Sequence, residues 1–594
     1  MSESGGLRRC RLLLPSAALL LLLAVFPLSL AQSEQLGEKS KDPRFIVMRV
    51  TPQDEEQLKL LNLLVKEAHH NDLDFWKSPT ALGHFADIMM PAEKLAEISS
   101  LFDSLAIPHI TTIDDVKQLI IDRESPKPRP LDDGLLGSFA KRFHDGFATR
   151  NRAKYGFGEY HGYGEIVRWL NEIAQQYPSM ARVMSIGTTA EGRNIVTIKI
   201  GTNVARNDKR VVWIDGGIHA REWGAIHTAL YFIEQLIAGY ETDGQIRLFV
   251  DDLTFYITPV LNPDGFEYTR SDVSPTKRLW RKNRSGISCT KDRWFRERCC
   301  GGVDLNRNFD FHWAETGSSD DRCSEIYQGT SAFSEAESRA VRDMLISPDL
   351  WGKVDAFITL HTYSQMWIHP YSHAVRAYPA DVNELATIGQ RAVTALEALY
   401  GTKYRFGTGA DILYPSAGGS DDWAKAKGSA KYVYLIELRP GEDVWDGFVL
   451  DPRQLIPMGR ETWEGIKVVV QAVVDRQQQT VQAQQIQQAQ LAARNDFSST
   501  VAPSFFLSKH VRTRPRRPSR VRLVHQRPGT HSAVSGVLVR RPAVSSSVAP
   551  AASSSTCRDV SPWCRAWLNG NPNVCTVSSI YMSRDCAATC RFCS

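Results

Sequence analysis

The middle of the chain alternates between short apolar runs and segments in which apolar residues have helical spacing. Four of the runs, at residues 211–215, 253–257, 356–360 and 432–436, are almost continuously apolar. Runs of this kind are typical of strands that are covered on both faces. Because helical segments lie between them, the pattern predicts an α/β domain with a mixed central sheet and helices on both faces.

A smaller α/β pattern precedes this domain, between residue 44 and about residue 124. It contains three strand-like segments and two segments with helical spacing, at residues 45–50, 86–90, 109–112, 55–67 and 92–105. A Pro-rich stretch follows, and then a group of basic residues, Lys141, Arg142, Arg150, Arg152 and Lys154. Exposed basic residues after a compact domain are natural cleavage sites for trypsin-like proteases. The alternative is a plain interdomain linker.

The first 31 residues have the pattern of a secretory signal peptide. Three arginines precede an apolar run from residue 12 to residue 30, and Ser29-Leu30-Ala31 supplies the small residues that a signal peptidase needs. The alternative is a membrane-anchoring helix, because the run is long enough to span a bilayer. No other stretch approaches 18 apolar residues. We therefore expect a secreted chain that has no membrane span after signal removal.

The composition changes after the large domain. Gln dominates residues 477–490, which we expect to continue the preceding helix. No Asp or Glu lies between Asp496 and Asp559, a stretch with eleven Lys and Arg residues, although the net charge of the chain is only +5. Its Ser, Pro, Arg and Val content predicts a disordered linker. Because residues 509–541 are basic, we expect polyanionic or matrix partners there. As a separate expectation, nucleic acid is not among the partners.

The cysteine pattern indicates disulfide bonds. The chain has eleven cysteines, and Cys10 lies in the signal segment. The other ten form two groups, Cys289, Cys299, Cys300 and Cys323, and then Cys557, Cys564, Cys575, Cys586, Cys590 and Cys593. An even, clustered number after a signal peptide indicates disulfides rather than free thiols. The predicted domains are thus 1–31, 32–150, 151–476, 477–556 and 557–594.

Three residues have the chemistry of a catalytic zinc site. His219 and Glu222 are three residues apart, which in a helical turn places both side chains on one side. Alone, such a pair is usually ordinary surface. His361, directly after the apolar run 356–360, supplies the third ligand that an open zinc site requires. Glu437, after the run 432–436, fits the base that activates water; the alternative is a buried salt bridge between Glu437 and Arg439.

The sequence closely resembles the digestive-type zinc metallocarboxypeptidases, the group of pancreatic carboxypeptidases A and B. The resemblance runs from about Tyr155 to Val474 and includes the small domain before it. It rests on ordered motifs that begin at Glu191, His219, Asn262, Arg278, Asp304, His361, Tyr414 and Glu437. A match to all of them by chance is negligible.

The resemblance implies a role for each matching residue. His219, Glu222 and His361 match the ligands of one Zn²⁺, Glu437 the catalytic carboxylate, and Arg281 the arginine that stabilises the oxyanion. The group that holds the terminal carboxylate of the substrate is matched by Asn306, Arg307 and Tyr414, and auxiliary substrate-binding positions by Arg221 and Tyr363. A guanidinium that reads a free carboxylate makes the enzyme an exopeptidase. The small domain then corresponds to an inhibitory pro-region.

Two residues fall where this family sets specificity. Asp421 lies where basic-specific members carry an acid, and Gly409 matches the small residue of the same pocket. A buried carboxylate there favours substrates that end in Lys or Arg. The alternative is that Asp421 turns outward and the enzyme has broad or A-like specificity.

Two loops depart from the family pattern. The loop from Lys282 to Cys300 is longer than usual, and the segment from Arg439 to Gly447 is expanded. Cys300 and Cys323 match the common disulfide of the family, and we expect Cys289–Cys299 as a second one, although the adjacency of Cys299 and Cys300 leaves this open. Asn283-Arg284-Ser285 is a glycosylation sequon, which is a weak signal.

The last 38 residues resemble the ShK-type toxin-like module of secreted nematode proteins. The resemblance implies the pairs Cys557–Cys593, Cys564–Cys586 and Cys575–Cys590. Ser583 and Arg584 follow Met582 where the channel-blocking toxins carry Lys and Tyr. We therefore expect a matrix-binding or a purely stabilising module. The rival to an enzyme is a matrix-binding protein that uses an inactive peptidase fold as a scaffold.

Overall fold

The computed structural model describes residues 43–124, 155–291, 297–499, 575 and 589–591. The predicted signal peptide, the activation segment with its basic residues, the basic part of the linker and most of the terminal module lie outside the described residues. The predicted pairs Cys557–Cys593 and Cys564–Cys586 lie outside them as well.

The pro-region is a four-stranded antiparallel sheet with helices, in the strand order β2-β3-β1-β4. Its elements are β1 (Phe45–Val50), α1 (Glu55–Lys66), β2 (Asp74–Lys77), β3 (Ala86–Pro91), α2 (Leu95–Ser104), β4 (His109–Ile113) and α3 (Val116–Glu124). Short 3₁₀ turns lie at Ala68–Asn71 and Ala92–Lys94. The pattern did not predict β2 or α3. The four residues of β2 begin and end with a charge and become a strand by pairing with β3.

The large domain, which the resemblance implies is catalytic, contains a mixed eight-stranded sheet in the order β13-β12-β14-β11-β7-β8-β6-β5. Its strands are β5 (Ala181–Thr188), β6 (Asn194–Ile200), β7 (Arg210–Gly216), β8 (Leu253–Thr258), β11 (Val354–Ser364), β12 (Met366–His369), β13 (Arg405–Thr408) and β14 (Tyr432–Gly441). A separate hairpin consists of β9 (Ser288–Lys291) and β10 (Glu297–Cys300). The pairs β8–β7, β7–β11, β11–β14 and β12–β13 are parallel, and the other pairs of the large sheet are antiparallel.

Helices cover both faces of this sheet, as predicted. They are α4 (Tyr163–Gln176), α5 (Trp223–Gly239), α6 (Gly244–Asp252), α7 (Pro263–Arg270), α8 (Pro275–Arg278), α9 (Ala336–Leu345), α10 (Val382–Tyr400), α11 (Gly409–Ile412), α12 (Ser420–Ala426) and α13 (Leu455–Ser499). Further 3₁₀ turns lie at Leu305–Arg307 and Pro452–Gln454.

Alternate residues of one strand belong to different halves of the core. Val212 and Ile214 of β7 pack with α5 and α13, whereas Val211 and Trp213 pack in a second cluster with Val341 of α9. Successive side chains of a strand point to opposite faces. Both faces of the sheet are therefore buried, which explains the continuous apolar runs in the sequence.

Helix α13 continues through the Gln-rich segment, as predicted, and ends at Ser499. Its residues up to Val474 contribute to the core, whereas residues 478–491 are exposed. Among the described residues, we find no helix whose length and apolar character would allow it to cross a bilayer.

Candidate active site

The three predicted zinc ligands converge at one buried point. His219 Nδ1 lies 2.7 Å from Glu222 Oε1, His361 Nδ1 lies 3.2 Å from Glu222 Oε2, and the two Nδ1 atoms are 3.2 Å apart. The predicted shared helical turn of His219 and Glu222 is wrong, because α5 begins only at Trp223. A non-helical turn after β7 brings the two side chains together. His361 lies within β11 rather than after it.

The outer nitrogens of both imidazoles have partners that fix where the protons lie. His219 Nε2 is 3.1 Å from the carboxylate of Asp304, and His361 Nε2 is 3.3 Å from Thr359 Oγ1. Thr359 donates its own proton to Asp215 Oδ1 at 2.7 Å, so its oxygen is left to accept. Both Nδ1 atoms therefore present lone pairs to each other and to the Glu222 carboxylate.

Where both Nδ1 atoms are unprotonated, three acceptors converge at one point, and a bound cation stabilises that arrangement. Two imidazole nitrogens and one carboxylate are the donors of catalytic zinc sites, and histidine ligands held by a second carboxylate are characteristic of them. Burial lowers the pKa of His219, which favours the neutral imidazole that a metal needs. Against the effect of burial, Glu222 raises the pKa of His361. The residues fit a zinc ion.

Asp304 connects the ligand set to Arg281. Its Oδ2 accepts hydrogen bonds from Arg281 Nε and Nη2 at 3.1 and 2.9 Å, while Oδ1 faces His219. Burial opposes ionisation of Asp304, but Arg281 and the other nearby cations hold the pKa of its carboxyl well below the usual range. Sequence reasoning assigned no role to Asp304 or Asp215, although Asp304 opens a quoted motif and Asp215 ends a predicted strand.

Glu437 lies beside the ligand set, directly opposite His361 in the pairing of β14 with β11. Among the described residues its Oε2 is buried and has no hydrogen-bond partner. Burial raises the pKa of Glu437 to about 8. Arg439 instead pairs with Glu461, with Nε 2.7 Å from Oε1. The alternative of a structural Glu437–Arg439 salt bridge is therefore wrong.

Arg307 is held by neutral groups. Its Nε and Nη1 donate to the carbonyl oxygens of Gly317 and Asn306, each at 2.8 Å, and Nη2 lies 3.4 Å from Tyr414 Oη. Asn306 Oδ1 accepts from Ser420 N at 2.9 Å. In the described part of the chain no carboxylate forms an ion pair with Arg307. Its charge is therefore available to an anionic ligand.

Asp421 is buried, and its Oδ2 has no partner within the described ranges. Burial, and then the charge of Asp422, raises the pKa of Asp421 to about 7. Asp422 itself is satisfied by the backbone N–H of Ser372, at 2.8 and 3.0 Å. A Cβ at Gly409 would lie 2.4 Å from Ser372 Oγ. Ser372 thus occupies the space that the glycine leaves, which the sequence comparison did not anticipate.

The pro-region covers the two auxiliary positions. Asp74 accepts hydrogen bonds from Arg221 Nη1 at 3.0 and 3.2 Å, and the guanidinium of Arg221 lies 4.1 Å from the ring of Phe448. The ring of Tyr363 packs edge-on against the same Phe448 at 5.0 Å, and Trp76 does so from the pro-region at 5.8 Å. The covered surface lies next to the predicted catalytic residues.

Three disulfides lie in the described part of the chain, at Cys289–Cys299, Cys300–Cys323 and Cys575–Cys590. Cys289 and Cys299 are direct partners in the β9–β10 hairpin, which explains the choice between the adjacent Cys299 and Cys300. The Asn283 sequon is buried, and its amide donates to Glu335 and Glu337. An oligosaccharide cannot be attached to this side chain in the folded protein.

Comparison with known proteins agrees with this geometry. The profile of the zinc carboxypeptidase family matches residues 166–465, and that of the carboxypeptidase activation peptide matches residues 48–124. Carboxypeptidase B of Astacus astacus is 42% identical over 316 residues, which are 53% of this chain and 97% of that protein. Carboxypeptidase A2 of Mus musculus is 34% identical over 455 residues, 77% of this chain and 98% of that protein.

Among solved structures, thrombin-activatable fibrinolysis inhibitor is similar with a TM-score of 0.60 at 30% identity, over 73% of this chain and 99% of that one. The fold and the ligand set together define a zinc-dependent peptidase. The chain belongs to the zinc carboxypeptidase family. It is a carboxypeptidase made as a zymogen, and it acts on peptides with free C-termini after a protease has processed its activation peptide.

Proposed function

We propose that the mature enzyme prefers substrates that end in Lys or Arg. The observation that carries this proposal is the buried Oδ2 of Asp421, which has no hydrogen-bond partner among the described residues. A cationic side chain would supply one, whereas a neutral side chain would leave the carboxylate desolvated, at a cost of about 1–3 kcal/mol. Because about 1.4 kcal/mol corresponds to tenfold, a discrimination of roughly tenfold to a hundredfold follows.

In this proposal the zinc ion is bound by His219, Glu222 and His361. When bound, zinc supplies Lewis-acid chemistry, by which it polarises a carbonyl oxygen and acidifies water. Glu437, whose pKa burial raises, accepts a proton from the attacking water and delivers it to the leaving amine. Arg281, fixed by Asp304, stabilises the charge that develops on the carbonyl oxygen.

The residue to be removed is recognised at its own carboxylate. Arg307, whose partners among the described residues are all neutral, offers a bidentate contact that an internal peptide bond cannot make. Asn306 and Tyr414 lie beside it and complete the contact. Arg221 and Tyr363 contact the chain on the other side of the scissile bond, on the surface that the pro-region covers.

The test compares catalytic efficiency on matched peptides that end in Arg, Lys, Phe or Leu. We expect the activated enzyme to favour Arg and Lys, and the Asp421→Ile variant to favour Leu or Phe. If the unaltered enzyme prefers Phe or Leu, the specificity is A-like. Two observations favour this alternative. Ser372 narrows the space beside Gly409, and the relatives include both A-type and B-type carboxypeptidases.

We also propose that the protein is secreted and that activation cuts between Arg142 and Arg152. The supports are the N-terminal signal pattern and the basic residues after the compact pro-region. On this proposal the domains are the predicted 32–150 and 151–476. N-terminal sequencing of the active form decides the site of cleavage. An uncut precursor that is fully active would contradict it.

The tail is proposed to bind polyanions. Residues 509–541 carry ten positive charges and no acid, which favours heparin-like or acidic matrix partners. The ShK-like module from 557 to 594 then acts as a second binding or stabilising unit. Equal retention on heparin after deletion of 509–541 would refute the basic site.

A further inference from the structure

The pro-region places basic side chains on one edge of the active-site cleft. We define this edge as the acidic rim, Glu442 and Asp446, which lies in the expanded loop after β14. Lys77 Nζ of the pro-region lies 3.0 Å from Glu442 Oε1, and the lysine side chain is only 7% exposed. Arg123 of the pro-region lies 3.1 Å from Asp446 Oδ2. Each carboxylate of the acidic rim therefore forms an ion pair with a basic side chain of the pro-region.

The acidic rim borders the surface that the pro-region strand β2 covers. A Cβ at Gly447, the residue after Asp446, would lie 2.7 Å from the ring of Trp76 in β2. The next residue, Phe448, packs against Tyr363 and the Arg221 guanidinium. The rim is thus adjacent to the proposed binding surface for substrate residues that precede the scissile bond.

Departure of the pro-region leaves these carboxylates with little compensation. Asp446 makes no other ion pair within the described residues. Glu442 keeps one partner, Arg405 Nη2 at 2.7 Å. Asp443 lies between them in the sequence, is exposed and has no described contact with the pro-region. It carries the same charge and therefore serves as a control residue for the rim.

We propose that the acidic rim binds basic side chains at the second, third or fourth position from the C-terminus of the substrate. The mature enzyme then favours C-termini with clustered Lys and Arg, because the negative charges of the rim attract complementary cations, an attraction that salt screens. When the pro-region leaves, Arg221 and Arg278 lose their partners Asp74 and Glu124. Their positive charges oppose a general attraction of cations to the whole cleft. The preference for basic side chains is therefore expected only at the substrate positions that face the acidic rim.

This inference rests on the carboxypeptidase activity but not on the proposed role of the pocket residue Asp421. The terminal residue of every test peptide is therefore fixed as the one that the activated full-length enzyme cleaves best. If the enzyme does not prefer terminal Lys or Arg, the peptides simply end in a different residue. The effect of Lys at the earlier positions can still be measured. The peptides carry Lys, Ala or Glu at the second, third or fourth position from the end, one position at a time.

We expect kcat/KM to be about two- to fivefold higher with Lys than with Ala in at least one position, the range of a single solvent-accessible ion pair. The Lys-to-Ala ratio should fall toward one in Glu442→Gln and Asp446→Asn. It should persist in the matched control Asp443→Asn, and it should decrease in high salt. A ratio of one in the unaltered enzyme, a preference for Glu, or equal losses in Asp443→Asn and Asp446→Asn would overturn the proposal.

Discussion

His361 and Glu437 are direct partners in adjacent parallel strands, β11 and β14. The hydrogen bonds of the sheet therefore fix the spacing between a proposed metal ligand and the proposed base. Neither side chain depends on a mobile loop for its position. This arrangement places both residues on the central sheet, and each can be changed by mutation without changing the other.

Glu437→Gln should abolish turnover while the protein keeps its fold and metal. The amide has nearly the shape of the carboxylate but cannot accept the proton, and general base catalysis contributes on the order of 10²–10⁴-fold. The measurement is kcat of the activated variant together with its zinc content. A variant that retains a near-normal kcat would remove Glu437 from the mechanism.

His361→Ala should lose zinc as well as activity, because two protein ligands do not make a stable site. Metal analysis after dialysis checks this. His312→Ala is the control, since His312 is half-buried, pairs with Glu315 and stacks on His373, away from the three predicted ligands. Zinc retained at one equivalent in His361→Ala would show that the metal lies elsewhere.

Asp304→Asn should weaken zinc binding and turnover together, by about 10–100-fold. The carboxylate orients His219 and also holds Arg281, so its loss affects the ligand and the oxyanion donor. Chelator competition measures the change in zinc affinity. The kcat at saturating zinc measures the effect on turnover that remains when the site is full. A variant with normal zinc affinity and lowered kcat would limit Asp304 to the Arg281 contact.

The preference for basic C-termini should depend on pH through Asp421. The pKa of its carboxyl is raised to about 7, so the group is charged above pH 7 and neutral below it. The ratio of kcat/KM for Arg-ending over Leu-ending peptides should fall about tenfold between pH 8 and pH 6, and kcat/KM reports the free enzyme. Enzyme groups whose titration affects both substrates equally have no effect on this ratio. In Asp421→Asn it should be small and flat with pH; the same slope there would point to another group.

Asp74→Asn should weaken the hold of the pro-region on the uncut zymogen. The Asp74–Arg221 pair is partly buried, and loss of one partner leaves the guanidinium unpaired. We expect a few-fold rise in the activity of the uncut precursor on a small peptide. Asp103→Asn, on an exposed face of α2, serves as the control. Equal activity of both variants would mean that Asp74 contributes nothing to inhibition.

Much of the fold could be predicted from periodicity, because the buried strands β7, β8, β11 and β14 have no polar face to confuse the pattern. The sequence also predicts the ligand set, but through motifs rather than local geometry. His219 and Glu222 meet in a turn that no periodicity describes. Their proximity to His361 comes from the pairing of strands far apart in sequence.

The supporting residues could not be predicted in this way. Asp304 acts only because His219 and Arg281 come to both of its oxygens, and a pattern of neighbours along the chain does not contain that information. Asn283 shows the opposite error. Its local sequence is a sequon, but the fold buries it between Glu335 and Glu337.

The contacts of Glu124 have a kinetic consequence for activation. Both of its oxygens pair with Arg278 at 2.6 Å in a buried site, and all described contacts of the pro-region lie before residue 125. A cut at the proposed site between Arg142 and Arg152 breaks none of these described contacts, but it ends the covalent connection between the pro-region and the catalytic domain. The severed pro-region becomes an ordinary dissociable inhibitor, whose effective concentration falls from about millimolar to whatever the surroundings provide. Dilution, rather than proteolysis alone, then determines when the enzyme becomes active.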